Sequence, residues 1–236
     1  MYDRRHGDGE LSFEASGGLI DASLVMRDKE TDSWWSIMTG KAIGGKLDGT
    51  PLVEMPVGEK TTWGSWKSRY PESKVLSVNG KEHIEDNPYD RYFSSDEGFR
   101  GMETSDDRLP GKEAVYVFLI GETAYAIPHN AISGGAAFDI GGGKEVFLYR
   151  EPGVEVYAST LAYIAASSGK NGRFENEGEK WRDNVTGEVF SEETGFPAPQ
   201  PDGDTSGDAP MIERLSGFDT FWYIWLSVHK DVNLIQ

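Results

Sequence analysis

The residues best spaced for chemistry lie in Asp202-Gly203-Asp204-Thr205-Ser206-Gly207-Asp208-Ala209-Pro210-Met211-Ile212-Glu213. Oxygen-bearing side chains stand at the first, third, fifth and seventh places of this run, glycine at the sixth and glutamate at the twelfth. Calcium takes about six to eight oxygens, and such a glycine allows the sharp turn that gathers them. Asp202, Asp204, Ser206, Asp208 and Glu213 are therefore the candidate ligands of a calcium ion, and no other cofactor is expected. A solvated acidic loop is the plainer alternative, because Pro197, Pro199 and Pro201 forbid a helix just before the run.

Other groups invite chemistry and have a simpler explanation. His129, after an apolar strand in Ile127-Pro128-His129-Asn130, has the type of a ligand or general base. His6, His83 and His229 lack ligand spacing to it, so a structural, hydrogen-bonded histidine is the better reading. Gly141-Gly142-Gly143-Lys144 evokes a phosphate loop, but Phe138 and Glu145 stand where that loop needs Gly and Ser or Thr. Asp28 and Asp183 could form a catalytic pair, yet each precedes a turn threonine, Thr31 or Thr186, and turn hydrogen bonds explain them better. There is no Gly-x-Ser-x-Gly elbow and no His-Glu-x-x-His pair. No catalytic residue is assigned.

The elements that position these groups come twice. Thr61-Thr62-Trp63-Gly64-Ser65-Trp66 returns as Thr220-Phe221-Trp222-Tyr223-Ile224-Trp225. Tryptophans three apart share one helix face, and a threonine before them suits an N-cap. Indoles at this spacing are more often core than sugar platforms, so all four are expected to be buried. Arg27, Asp28, Thr31, Ser36, Thr39 and Gly40 recur as Arg182, Asp183, Thr186, Ser191, Thr194 and Gly195, at the constant offset seen from Arg27 to Arg182. Pro51, Glu54, Gly58, Thr61, Trp63, Trp66 and Ser68 recur as Pro210, Glu213, Gly217, Thr220, Trp222, Trp225 and Ser227, at the offset from Pro51 to Pro210. Such long, constant offsets mark a duplicated half-domain rather than a solenoid.

The chain has 236 residues, 29 glycines and 11 prolines, enough length for a sizeable core and a composition that favours strands and tight turns. Its net charge of −17 argues against nucleic acid and against anionic membrane surfaces. It has no cysteine, which excludes disulfides and thiolate chemistry. Residues 1–20 show no signal peptide, and no apolar run is long enough for direct membrane insertion. Hairpins are expected at Ala114–Ile120 with Thr123–Ile127, turned by Gly121-Glu122, and at Ala136–Ile140 with Glu145–Tyr149. Further strands are expected at Leu24–Met26, Ser33–Met38, Lys74–Val78 and Val154–Ala166.

Ser23-Leu24-Val25-Met26-Arg27-Asp28-Lys29-Glu30-Thr31, Gly40-Lys41-Ala42-Ile43, Thr62-Trp63-Gly64-Ser65-Trp66, Val75-Leu76-Ser77, Asn87-Pro88-Tyr89 and Asp107-Arg108-Leu109-Pro110-Gly111-Lys112 stand in an order that resembles the bacterial and archaeal family called domain of unknown function 3179. The resemblance covers most of residues 1–165, and the second copy fits it too. It implies an extracytoplasmic place, periplasmic or at the cell surface, and it assigns no reaction and no catalytic residues. Family members often carry a Cys-Pro-x-Cys-like segment upstream of this chain's first residue; it is absent here, so no chemistry tied to it carries over.

The expected fold is mainly β with a few short helices, as two duplicated β-rich halves packed into one pseudo-symmetric unit. Residues 1–80 form an N-terminally incomplete first half, 81–112 a connecting segment and 113–236 the second half. By the offset, a counterpart of residues 113–155 would lie before Met1. The first half should then share the sheet of residues 114–149, or offer an unpaired edge at Met1-Tyr2-Asp3-Arg4 to another protein chain or a second copy. The expected function is a non-catalytic, extracytoplasmic binding or assembly module. The alternative is a hydrolase or metal-handling enzyme with its site in the cleft between the halves. Convergent polar side chains in that cleft would favour the enzyme, and a dry seam the scaffold.

Overall fold

A computed structural model describes residues 2–55, 60–77, 89–168, 172–192, 195–197 and 212–236. The chain opens with a two-stranded ribbon, β1 (Arg5–His6) and β2 (Gly9–Glu10), turned through Gly7. Four antiparallel strands follow in sequential order: β3 (Phe13–Ile20), β4 (Ser23–Asp28), β5 (Trp34–Ser36) and β6 (Ala42–Gly44). Strand alternation sends Met26, Trp35 and Ala42 to one side, where Leu11, Phe13, Leu47 and Leu52 complete a small core. Glu14, Arg27, Trp34 and Ile43 line the opposite, uncovered side.

Two helices come next, α1 (Trp63–Arg69) and α2 (Asp90–Ser94). Thr62 caps α1 as its sequence suggests, its side chain accepting from the Ser65 N–H. Then β7 (Ala114–Ile120) and β8 (Thr123–Pro128) form the expected hairpin. Gly121 has a φ of 61° and Glu122 has none above zero, the sign pattern of a type II′ turn. The second expected hairpin is β9 (Ala136–Gly141) with β10 (Lys144–Tyr149). The remaining elements are β11 (Leu161–Ala166), β12 (Phe174–Asn176), β13 (Trp181–Asp183), β14 (Val189–Phe190), β15 (Ile212–Arg214), β16 (Gly217–Phe221), α3 (Trp222–Val228) and β17 (Val232–Leu234).

Residues from 114 onward stack in layers. The sheet orders are β16-β7-β8-β17, β15-β11-β10-β9 and β12-β13-β14. α3 lays Trp222, Trp225 and Leu226 on Val115, Val117, Ala124 and Ala126. The reverse face of that sheet sets Tyr116, Phe118 and Ile127 against Val146, Leu148 and Ala162. The far face of the second sheet, with Phe147, Tyr149, Leu161 and Tyr163, meets Phe174, Trp181 and Phe190 of the third. Successive residues of β7 and β10 thus serve different layers, which is why β7 and the last four residues of β10, Val146–Tyr149, read as unbroken apolar runs.

The protein is mainly β, with three short α-helices among the described residues, as the sequence implies. Several local expectations are corrected. Residues 73–77 form no strand and leave Leu76 90% exposed; among the described residues no strand pairs with them. The strand expected from Val154 begins only at Leu161. The Gly-rich stretch of residues 41–50 contains β6. The four indoles part company: Trp222 and Trp225 are fully buried, whereas Trp63 is 49% exposed and Trp66 half-buried. α3 has a sheet beneath it and α1 buries no residue. The first four strands do not share the sheet of residues 114–149. Tyr2 bridges Glu54 and the Asp3 N–H donates to the Val53 carbonyl, so the expected edge at the start of the chain is paired internally. The open edge of that sheet is β3.

Candidate functional site

The segment that leads into α1 lies across the later sheets, and polar side chains meet where it crosses. Lys60 and Thr160 exchange backbone hydrogen bonds, at 2.9 Å from the Thr160 N–H and 3.4 Å from the Lys60 N–H. This brings the Lys60 ammonium onto the carboxylate of Asp219, a β16 residue. Asp219 also bonds His129 Nε2 at 2.8 Å and accepts from Thr160 Oγ1 at 3.1 Å. His129 follows β8 in a single 3₁₀ turn, so the hairpin that aims it is the one most evident in the sequence.

Asp219 and His129 are shut away from water, with side chains 2% and 1% exposed. Burial pushes the Asp219 carboxyl upward, but the bond from His129 and the charge of Lys60 outweigh it and hold it below the ordinary carboxylate range. The His129 Nδ1 and the hydroxyl of nearby Tyr157 have no partner among the described residues. Burial first, then the charge of Asp219, pushes the Tyr157 phenol far up. His129 is not among the residues that line the neighbouring groove. Its bond to Asp219 links the turn after β8 to β16.

Beside this cluster runs an open groove of about 830 Å³, between α1 on one side and the ends of β10 and β14 on the other. Ser65 Oγ lies 3.0 Å from Glu151 Oε2 and 3.2 Å from Glu192 Oε1. Thr62 Oγ1 reaches the same Glu151 oxygen at 3.3 Å, and the Tyr149 hydroxyl donates to Glu192 at 3.3 Å. Burial, with the Glu192 charge behind it, pushes the Tyr149 phenol up and keeps it a donor. A serine hydroxyl has one proton to donate, so the two carboxylates compete for it. A carboxylate in this position can also act as a general base toward the serine.

A second surface is the outward face of β3–β6. Register places Glu14 opposite Arg27, and Arg27 opposite Trp34, in one row across three strands. Arg27 binds Glu14 at 2.7 Å and Asp32 at 3.3 Å, and Lys29 reaches Glu14 at 3.6 Å. Trp34 is 54% exposed, and Leu19, Ile20 and Ile43 are exposed around it. The concavity they share has a volume of about 640 Å³.

Of the residues singled out for calcium, Asp202, Asp204, Ser206 and Asp208 lie outside the described residues. Glu213 stands in β15 opposite Ile164, with its side chain exposed. Among the described residues, no three His, Asp or Glu side chains gather as a metal cluster. Asp28 and Asp183 are turn residues, as expected. Asp28 accepts from the Thr31 N–H, Thr31 Oγ1, the Ser33 N–H and Trp35 Nε1. Asp183 accepts from the Val185 N–H, Thr186 Oγ1 and a bidentate Arg173. Sequence reasoning missed Lys60, Ser65, Glu151, Glu192 and Asp219. One signal was present: Lys60 and Asp219 are 159 positions apart, the offset of the repeat, and carry opposite charges.

A family model described as Protein of unknown function (DUF3179) matches residues 1–232. No curated protein and no solved structure matches the chain.

Proposed function

We propose that this chain, which belongs to the DUF3179 family, is a non-catalytic binding or assembly module that works outside the cytoplasm. The observation that carries the reading is the uncovered outward face of β3–β6. A contiguous apolar surface ringed by charges is the mark of a contact site, and here Trp34, Leu19 and Ile43 supply it beside the Glu14–Arg27 pair. The place outside the cytoplasm is supported by the family resemblance. Among the described residues no helix is long and apolar enough to cross a membrane.

Hydrogen exchange on the full chain, with and without a cell-envelope fraction, tests the reading. Slowed exchange across β3, β4 and β5 is expected. A fraction that slows exchange nowhere on that face would overturn it.

The second reading is a hydrolase, and one observation favours it: Ser65 sits between Glu151 and Glu192 in a groove where the segment leading into α1 meets the later sheets. Turnover of aryl esters or peptides that disappears in Ser65→Ala, with the melting curve unchanged, would establish it. Calcium at Asp202, Asp204, Ser206, Asp208 and Glu213 is proposed on spacing alone. A titration calorimeter decides it, since binding gives heat and raises the melting temperature by mass action, and its absence gives neither.

A further inference from the structure

The exposed face of the first sheet admits two kinds of occupant: a strand added to its edge, or a ligand laid on its surface. The edge is poorly made for addition. Pairing of β3 with β4 shifts register between Ala15 and Leu19. Gly17 has a φ of 80° there, and Ser16 Oγ turns back to donate to the Val25 carbonyl and accept from the Gly18 N–H. A bulge of this kind interrupts the ladder that a partner strand would need.

The face is different. The cross-strand neighbour of Trp34 on β6 is Gly44, which has no side chain to stand over the indole. The other neighbour, Arg27, is bound to Glu14 on one side and Asp32 on the other. An open indole beside a planar carboxylate–guanidinium pair offers an apolar floor and, next to it, both an acceptor and several donors. The four charges linked to Arg27 and Glu14 at this face, on those two residues and on Lys29 and Asp32 of the turn after β4, cancel within a chain whose net charge is −17. A polyanion would be repelled by the rest of the molecule, and a polycation would find stronger attraction elsewhere on it. A neutral polyhydroxylated ring fits best. Its C–H face can lie on Trp34, and its hydroxyls can meet Glu14 and Arg27.

Resting on the binding reading above, we infer that the outward face of β3–β6 binds a neutral polysaccharide, with Trp34 as the stacking floor and the Arg27–Glu14 pair as the hydroxyl clamp. The bulged edge and the uncovered side of Trp34 together select a ligand on the surface over a strand on the edge.

Native electrophoresis of the full chain tests this in gels cast with neutral polysaccharides (a β-1,3-glucan, hydroxyethylcellulose, a mannan, dextran) and, as contrast, alginate. The wild type should be retarded in at least one neutral gel and not in alginate. Trp34→Ala should weaken that binding about tenfold or more, Trp34→Phe should keep part of it, and Arg27→Ala should weaken it without changing the melting curve. No retardation in any neutral gel, equal retardation of Trp34→Ala, or retardation in alginate alone would each overturn the inference. The envelope exchange experiment separates the two readings. Slowed exchange on this face that survives periodate treatment of the envelope and is lost on protease treatment would leave a binding module whose partner is a protein. It would remove the polysaccharide.

Discussion

Asp28 and Asp183 show how far a single residue can be read. Their spacing to Thr31 and Thr186 predicts turn hydrogen bonds, and both turns make them. What the spacing hides is the remaining partner of each carboxylate. The repeat offset sets Trp35 against Phe190, and a phenylalanine side chain has no N–H to give. Asp28 takes Trp35 Nε1, while Asp183 takes Arg173 from the neighbouring strand region. Replacing Arg173 by Ala strands a fully buried carboxylate and should cost about 3–5 kcal/mol in a urea melt. Asp28→Ala leaves the Trp35, Thr31 and Ser33 donors unmet, at about 1–3 kcal/mol for each that stays dry. Asp28, Asp183 and Asp219 are all held below the ordinary value of 3.8, by bonds and charges that outweigh burial. Near and below that value the unfolded chain therefore binds more protons than the folded one. Their stabilisation is complete above 3.8 and is lost as the pH falls through their lower folded values. Melting temperature against pH should drop steeply on the acid side of 3.8, and less steeply in Asp183→Asn.

At the scale of elements, local pattern predicted the type of each Trp helix and missed its surroundings. α1 and α3 are both seven residues long and stand at matching places in the repeat. Period determines that much; the expected threonine cap forms only in α1, because Thr220 is taken up in β16 and α3 starts from Phe221 without a side-chain cap. Burial depends on what lies beneath, and the strands under α3 are about a hundred positions earlier in the chain. Trp225→Ala should cost about 3–5 kcal/mol, as for other large core aromatics. Trp66→Ala should cost about 1 kcal/mol or less, since its indole is half-buried against Tyr70 and donates to Ser73. Paired urea melts of the two variants check the contrast; equal losses would mean that α1 is packed like α3. α1 is held instead by Lys60, Thr62 and Ser65, each on a carboxylate. Lys60→Ala should destabilise by about 1–3 kcal/mol, between an exposed and a buried pair. It should also speed amide exchange in α1 ahead of the rest of the chain. The site was illegible for the same reason: Ser65, Glu151 and Glu192 meet only through tertiary folding, and no local spacing records it.

The whole molecule combines a lightly built first sheet with a stack of later layers. The relation between its halves is a proposal that rests on the constant offsets and on the two matching aspartate turns. The layers themselves were partly legible, because β7 and the Val146–Tyr149 stretch of β10 are unbroken apolar runs and such runs are buried on both faces. Their neighbours were not, because β16 and β17 return from far along the chain to flank the β7–β8 hairpin, β17 in parallel. A chain shortened to end at Pro210 would lack both flanking strands, β15 and the α3 layer. It should show no cooperative melt by circular dichroism, and a sharp melt would contradict this stacking. The return of β16 and β17 also imposes an order in time. A ribosome releases the β7–β8 hairpin well before the residues that flank and roof it, so this part of the protein must wait, open, for its own last strands. During that wait it is exposed to proteases and to any helper that holds unfolded chains, and it is still a thread slim enough to be passed through a pore.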